Sequence, residues 1–121
     1  MKKFLFVFSC IIALTGFSQK KPLDHTVYDG WQSLGDRLIS NDGNYLSFSV
    51  NPQEGDGILT IQSASGNYKK EVPRGYGPVI TEDSRYLVCR IKPFFKETSD
   101  AKLKKKKPED MPKDSLLILE L

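Results

Sequence analysis

The sequence predicts an all-β chain built from a repeated antiparallel unit, and two observations predict it. First, "ISNDGNYLSFSV", Ile39 to Val50, returns 41 residues later as "ITEDSRYLVCRI", Ile80 to Ile91. Second, each copy alternates in polarity with period two between turn-forming residues, which is the pattern of a strand half-covered on one face. In register, Ile39 meets Ile80, Asp42 meets Asp83, Tyr45-Leu46 meets Tyr86-Leu87 and Pro52 meets Pro93. The neighbouring differences are conservative: Leu38 with Val79, Ser40 with Thr81, Val50 with Ile91.

The chain opens with Lys2 and Lys3, then an apolar run from Phe4 to Leu14, then Gly16-Phe17-Ser18 with small residues at the −3 and −1 positions of a cleavage site. That is the pattern of a secretory signal peptide over residues 1–18, which implies export to the periplasm or beyond. The run is shorter than the roughly 20 apolar residues of a membrane span. No membrane association is therefore expected after cleavage. Cys10 has Phe8 two residues before it, where a lipoprotein signal wants a small residue, and the apolar run continues past it. Residues 19–37 form an entry segment in which Tyr28 and Trp31 are expected to pack; a helical turn and a strand both fit it.

The first repeat is expected over residues 38–78. "LIS" ends a strand, and "NDGN" turns the chain. Asp42 can accept backbone N–H bonds there, and Gly43 tolerates φ > 0. "YLSFSV" then places Tyr45, Ser47 and Ser49 on one face and Leu46, Phe48 and Val50 on the other. "NPQEGDG" is a loop, "ILTIQS" a strand, "ASGN" a turn and "YKKEV" a further strand. "PRGYG" reads as a linker. The unit is purely β and about 40 residues long, which matches a four-stranded blade of a β-propeller.

A partial second blade is expected over residues 79–121. Its turn carries Asp83, with Ser84 in place of Gly43, a residue less at ease at φ > 0. Tyr86, Val88 and Arg90 oppose Leu87, Cys89 and Ile91. "ILTI" at Ile58 is expected to match "LLIL" at Leu116, an offset of 58. The excess over 41 marks a polar, lysine-rich insertion within residues 94–114. Asp100 to Lys107 could form a short helix ended by Pro108.

Composition excludes several functions. Removing Lys2 and Lys3 from a formal net charge of +3 leaves +1, so the working chain is barely basic. Lys104 to Lys107 is offset by nearby acids, and no aromatic residue interleaves with it. It reads as a solvated loop, and no nucleic acid is expected as partner, because phosphate binding wants an unopposed basic face. Cys89 has Phe48 as its counterpart and reads as an apolar filler. His25 is the one histidine; with Cys89 far from it in sequence, no zinc set is expected. No G-x-S-x-G occurs, and "SASGN" lacks the first glycine of a nucleophile elbow. Gly75-Tyr76-Gly77 is too short for a dinucleotide fingerprint. Glu54 and Asp56 miss calcium-loop spacing. Asp42, Gly43, Asp83 and Ser84 are therefore expected as structural turn residues. No catalytic, metal or cofactor-binding residue is expected.

The pair "ISNDGNYLSF" and "ITEDSRYLVC" resembles the S-P-D-G-x-x-L-x-F motif of propellers in exported peptidases, with Asn41 and Glu82 where the motif has proline. With "KKPLDHTVYDGWQSLGDRLISNDGNYL", "NPQEGDG", "ITEDSRYLV" and "KKKKPEDMPKDSL", the chain resembles the N-terminus of secreted bacterial serine peptidases of the prolyl oligopeptidase family. The resemblance implies a propeller that gates peptide access to a C-terminal α/β-hydrolase domain. The catalytic Ser, Asp and His of that domain have no matching positions here. A non-catalytic exported propeller for binding and a stand-alone small β interaction module are the alternatives. Two incomplete blades would leave unpaired strand edges, so the chain alone is expected to be marginally folded.

Overall fold

The computed structural model describes residues 25–121; the expected signal peptide lies outside the described residues, as do Cys10 and the start of the entry segment. The chain is all-β in its main architecture: seven strands in two antiparallel sheets, with one α-helix. Both sheets are simple meanders. β1 (Gln32–Ile39), β2 (Tyr45–Pro52), β3 (Ile58–Ser63) and β4 (Lys69–Pro73) form the first, in that order. β5 (Gly75–Ile80), β6 (Tyr86–Ile91) and β7 (Ser115–Glu120) form the second. Among the described residues neither sheet closes on itself.

The entry segment contains both structures that its sequence allowed, a 3₁₀ turn over His25–Gly30 and then β1. Leu38 and Val79, where the repeats were expected to begin, lie inside β1 and β5. Gly75 to Gly77, expected as a linker, belong to β5. The sheets are joined through Arg74 alone, in the left-handed region at φ 62°. The reason is steric. A Cβ on Gly75 would stand 2.8 Å from Leu59 Cβ and 3.1 Å from the Val72 carbonyl oxygen. Glycine is needed there for close packing of β5 on β3 and β4.

The offset of 41 extends further toward the N-terminus than the sequence comparison reached. β1 bulges between Gly35 and Leu38, and β5 bulges between Tyr76 and Val79. The left-handed residues at the two bulges, Asp36 (φ 45°) and Gly77 (φ 56°), are also 41 apart. A bulge bends and twists an edge strand. The two bulges also touch, since the Gly77 N–H donates to Asp36 Oδ2 at 3.3 Å.

The third strands correct the expected offset. Tyr45 pairs with Ser63 and Val50 with Ile58; Tyr86 pairs with Glu120 and Ile91 with Ser115. Since Tyr45 corresponds to Tyr86, Ser63 corresponds to Glu120, an offset of 57 and not 58. A slip of one residue exchanges the two faces of a strand. Leu59 and Ile61 thus correspond to Leu116 and Ile118, and Thr60 to Leu117. The insertion is correspondingly one residue shorter.

The core lies between the sheets. Leu59, Ile61 and Val72 from the first meet Leu87 and Cys89 from the second, with Ile80, Ile91, Leu117 and Leu119 packed around them. The first sheet therefore presents its Ser47 and Ser49 face to the second, and both serines are fully buried. Leu46, Phe48 and Val50 face away. The inward face is the one that looks more polar in sequence, because β3 supplies its apolar atoms.

The helix begins earlier than expected. α1 spans Phe95–Leu103, not Asp100 to Lys107. Asp56, on the loop between β2 and β3, accepts the Phe95 N–H at 2.9 Å and so fixes the first turn from outside the segment. At the other end Lys105 takes φ 50°, Lys105 N–H donates to the Lys102 carbonyl and Lys106 N–H to the Ala101 carbonyl. This is a Schellman closure. Continuing the helix would stack like charges of the lysine run on one another. A 3₁₀ turn, Pro108–Asp110, then leads to β7.

Candidate functional site

The sequence-marked turn residues gather at one end of the sheets, and the turn expected from "ASGN" is there with those of Asp42 and Asp83. Residues 40–45 (SNDGNY), 63–68 (SASGNY) and 81–86 (TEDSRY) adopt one conformation. In each, the first residue's N–H donates to the tyrosine carbonyl: Ser40 to Tyr45, Ser63 to Tyr68 and Thr81 to Tyr86, all at 2.9 Å. In each, the tyrosine N–H returns a bond to the first residue's hydroxyl, at 2.9, 3.0 and 3.1 Å. In each, the fourth residue donates to the first residue's carbonyl and is left-handed: Gly43 at φ 73°, Gly66 at 77° and Ser84 at 55°. The shared spelling S/T-x-D/S-G/S-x-Y is present in the sequence and marks the three turns as one kind.

Position three tightens the first hydroxyl. Ser40 Oγ donates to Asp42 Oδ1 at 2.5 Å, Ser63 and Ser65 share a hydroxyl bond at 3.1 Å, and Thr81 Oγ1 donates to Asp83. Asp42 also accepts the Asn44 N–H at 3.0 Å. These bonds, the Ser40 hydroxyl foremost, lower the Asp42 carboxyl from its ordinary 3.8 to about 2. The Thr81 hydroxyl, then the Arg85 N–H and the Arg85 charge, hold Asp83 below the usual range as well. Both carboxylates are engaged as acceptors in their own turns. Neither is placed as a general base, which would need an elevated pKa near neutrality.

The two sheets meet at this end. Ser84 is buried and its hydroxyl has no partner of good hydrogen-bond geometry. It lies near enough to the Asp42 carboxylate to add slightly to its ionisation. Ser84 is therefore a contact between turns as well as a turn residue. Neighbouring turns are laced by backbone bonds: Ala64 N–H to the Asn44 carbonyl at 2.7 Å, and its counterpart, Leu121 N–H to the Arg85 carbonyl at 2.8 Å. Tyr45 and Tyr68 stack edge to face at 6.0 Å.

The opposite end holds the charged and aromatic groups. The Arg74 guanidinium lies 3.8 Å over the Phe94 ring and donates to the Lys92 carbonyl at 2.9 Å. The Lys92 ammonium lies 4.9 Å from the Tyr76 ring, whose hydroxyl donates to Asp114. An open cleft of about 370 Å³ runs between Asp56, Tyr76, Lys92, Phe95 and Asp114. Its charges are committed to neighbours: Asp56 to the helix, Asp114 to Tyr76. Lys104 to Lys107 stand exposed, with Lys107 near Glu109 at 3.9 Å. Such a pair contributes little.

The remaining candidate residues among the described ones are accounted for singly. No group of three His, Cys, Asp or Glu side chains could hold a metal there. Cys89 is buried in the core, and burial raises its thiol pKa, the reverse of what a nucleophilic thiolate needs. His25 opens the first 3₁₀ turn, on the chain's approach to β1. No helix among the described residues is long and apolar enough to cross a membrane.

The apolar surfaces are the remaining feature. A groove of about 410 Å³ on the outward face of the first sheet is lined by Leu34, Arg37, Leu38, Ile39, Leu46 and Phe48. On the second sheet, Leu116 and Ile118 are exposed on the face turned away from the core. No family model, no curated protein and no solved structure matches the chain.

Proposed function

We propose that this chain is the N-terminal part of a β-propeller belonging to an exported serine peptidase of the prolyl oligopeptidase family. Its work there is to frame and gate the approach of peptides to a hydrolase domain elsewhere in the protein. One observation carries the propeller part of this reading. The two sheets are equivalent units stacked in one direction, and each still offers the face that its counterpart covers. A four-stranded sheet stacked on a three-stranded one, with apolar residues on both end faces, is suited to continue into a ring. The bulged β1 and β5 stand at equivalent positions, where the inner strands of such a ring would lie.

The peptidase part rests on the sequence resemblance. In this reading Asp42, Gly43, Asp83 and Ser84 hold turns, and the chemistry belongs to the hydrolase domain. The test begins with the DNA beyond the codon for Leu121. Further units of this kind followed by G-x-S-x-G are expected. The complete product should then react with a fluorophosphonate serine probe, while the present chain should not. Repeats with no hydrolase domain would replace the peptidase by a binding propeller, and an unrelated continuation would end the propeller reading.

A further inference from the structure

Residues 94–114 leave the second sheet after β6 and rejoin it at β7. This insertion is tied to the sheets at both of its stems. At the first, Asp56 accepts the Phe95 N–H at 2.9 Å and the Arg74 guanidinium covers the Phe94 ring. At the second, the Tyr76 hydroxyl donates to Asp114. Between the stems the backbone bonds are local. The Lys104 N–H donates to the Asp100 carbonyl, Lys105 to Lys102, Lys106 to Ala101 and Asp110 to Lys107. Each of these bonds closes a turn of the insertion itself, and none of them reaches a strand. Ala101 is the buried residue of α1, and Lys104 to Lys107 are all exposed.

We propose that the Lys–Lys bonds between Lys104 and Lys107 are a processing site for a serine endopeptidase of the trypsin class. Such an enzyme must draw several residues into extended backbone. It therefore cuts where exposed backbone opens without loss of sheet or core contacts. Opening the insertion at Lys104 to Lys107 breaks only the turn bonds just described. Other basic residues are held by the sheets. Lys69 and Lys70 pair in β4 with Gln62 and Ile61, and Arg90 in β6 lies between Tyr76 and Leu116. Lys92 and Lys107 each precede a proline, whose ring removes the N–H and fixes φ, so the bonds after them are poor substrates. Hydrolysis adds one water to a Lys–Lys amide and leaves a carboxylate and an α-ammonium. Both new ends lie between the stems. β7 stays in place, because its six residues pair with β6 and Leu117 and Leu119 pack on the core. The cut thus opens the insertion and leaves the second sheet standing. Further units of a propeller would cover sheet faces, whereas this segment stands at the sheet ends. The inference rests on that placement and not on the peptidase reading.

The experiment is limited digestion of the purified chain by trypsin in native buffer, read by intact mass and by gel filtration. Among residues 25–121, the first cut is expected after Lys104, Lys105 or Lys106. The two products should elute together in native buffer and separate in urea. A variant combining Lys104→Gln, Lys105→Gln and Lys106→Gln should be cut between residues 25 and 121 at least about tenfold more slowly, since most of the sites that remain open only with the sheets. All four changes of this kind lie on exposed backbone outside the core, so the variant tests accessibility and not folding. A first cut anywhere else between residues 25 and 121 would overturn the proposal. So would a variant cut as fast as the parent. Products that part in native buffer would show that the cut dismantles the second sheet, and would overturn the processing role as well.

Discussion

Gly75 is the point on which the two sheets meet, and replacing it by alanine is the sharpest test of the packing. The new Cβ would lie 2.8 Å from Leu59 Cβ, 3.1 Å from Val72 Cγ1 and 3.1 Å from the Val72 carbonyl oxygen. Comfortable carbon contacts need about 3.5–4.0 Å, so the nearest pair overlaps by about 0.7 Å or more. Leu59 is fully buried and Val72 nearly so, and neither has room to retreat. Overpacking of this kind costs about 1–3 kcal/mol. Gly75 does not lie at positive φ, so alanine also narrows the unfolded ensemble and returns about 0.4–1 kcal/mol. The expected net loss is about 1–2 kcal/mol. Urea unfolding followed by circular dichroism, at one fixed protein concentration because association would couple to stability, measures it. A double-mutant cycle isolates the clash. Leu59→Ala alone should cost about 2–5 kcal/mol, and less when Gly75 is already alanine, because the new methyl then occupies part of the vacated space. If Gly75→Ala is neutral and the cost of Leu59→Ala is unchanged in its presence, β5 does not approach β3 as described.

Three further predictions concern the turns and the core. Ser84→Gly should stabilise the chain by about 1 kcal/mol in the same urea assay, since it relieves a left-handed serine at φ 55°. Asp42 has a folded pKa depressed from 3.8 to about 2. Its contribution is therefore complete above the unfolded value and is lost as pH falls through roughly 4 to 2. Asp42→Asn should flatten that part of a pH–stability curve, and an unchanged curve would remove the turn's carboxylate from the account. In a Cys10→Ser background, Cys89 should resist a thiol reagent in native buffer and react when urea opens the core, as its burial and raised pKa require.

The strands between Ile39 and Ile91 were legible because their signals are local. An alternating run bounded by Asp, Gly or Ser turn residues needs no tertiary contact to be recognised. Ile39 to Val50 and Ile80 to Ile91 thus yielded both β2 and β6 and the turns before them. What escaped depended on contacts distant in sequence. Helix α1 begins at Phe95 because Asp56, 39 residues earlier, caps it. Gly75 to Gly77 look like a linker by composition, yet they are a strand because β5 must run close over Leu59. The "ASGN" turn was legible as a turn, but its likeness to the other two was not, because Ser65 stands where they carry aspartate and the shared geometry rests on the Ser63 hydroxyl.

The offset between the third strands shows how much rests on a single residue of register. At 58, Leu117 and Leu119 would correspond to Leu59 and Ile61, and both sheets would turn the same apolar residues toward a single shared core. At 57, the correspondents of Leu59 and Ile61 are Leu116 and Ile118, on the far side of β7 from that core. The apolar residues of β7 then divide between two faces: Leu117 and Leu119 serve the contact with the first sheet, and Leu116 and Ile118 point away from it. A strand that is apolar on both faces is the pattern of a layer covered on both sides. "SLLILE" has it, whereas a terminal layer of a finished stack would alternate with polar residues. The register of β7, fixed by the pairing of Tyr86 with Glu120 and Ile91 with Ser115, therefore puts apolar residues on both faces of the second sheet's edge strand.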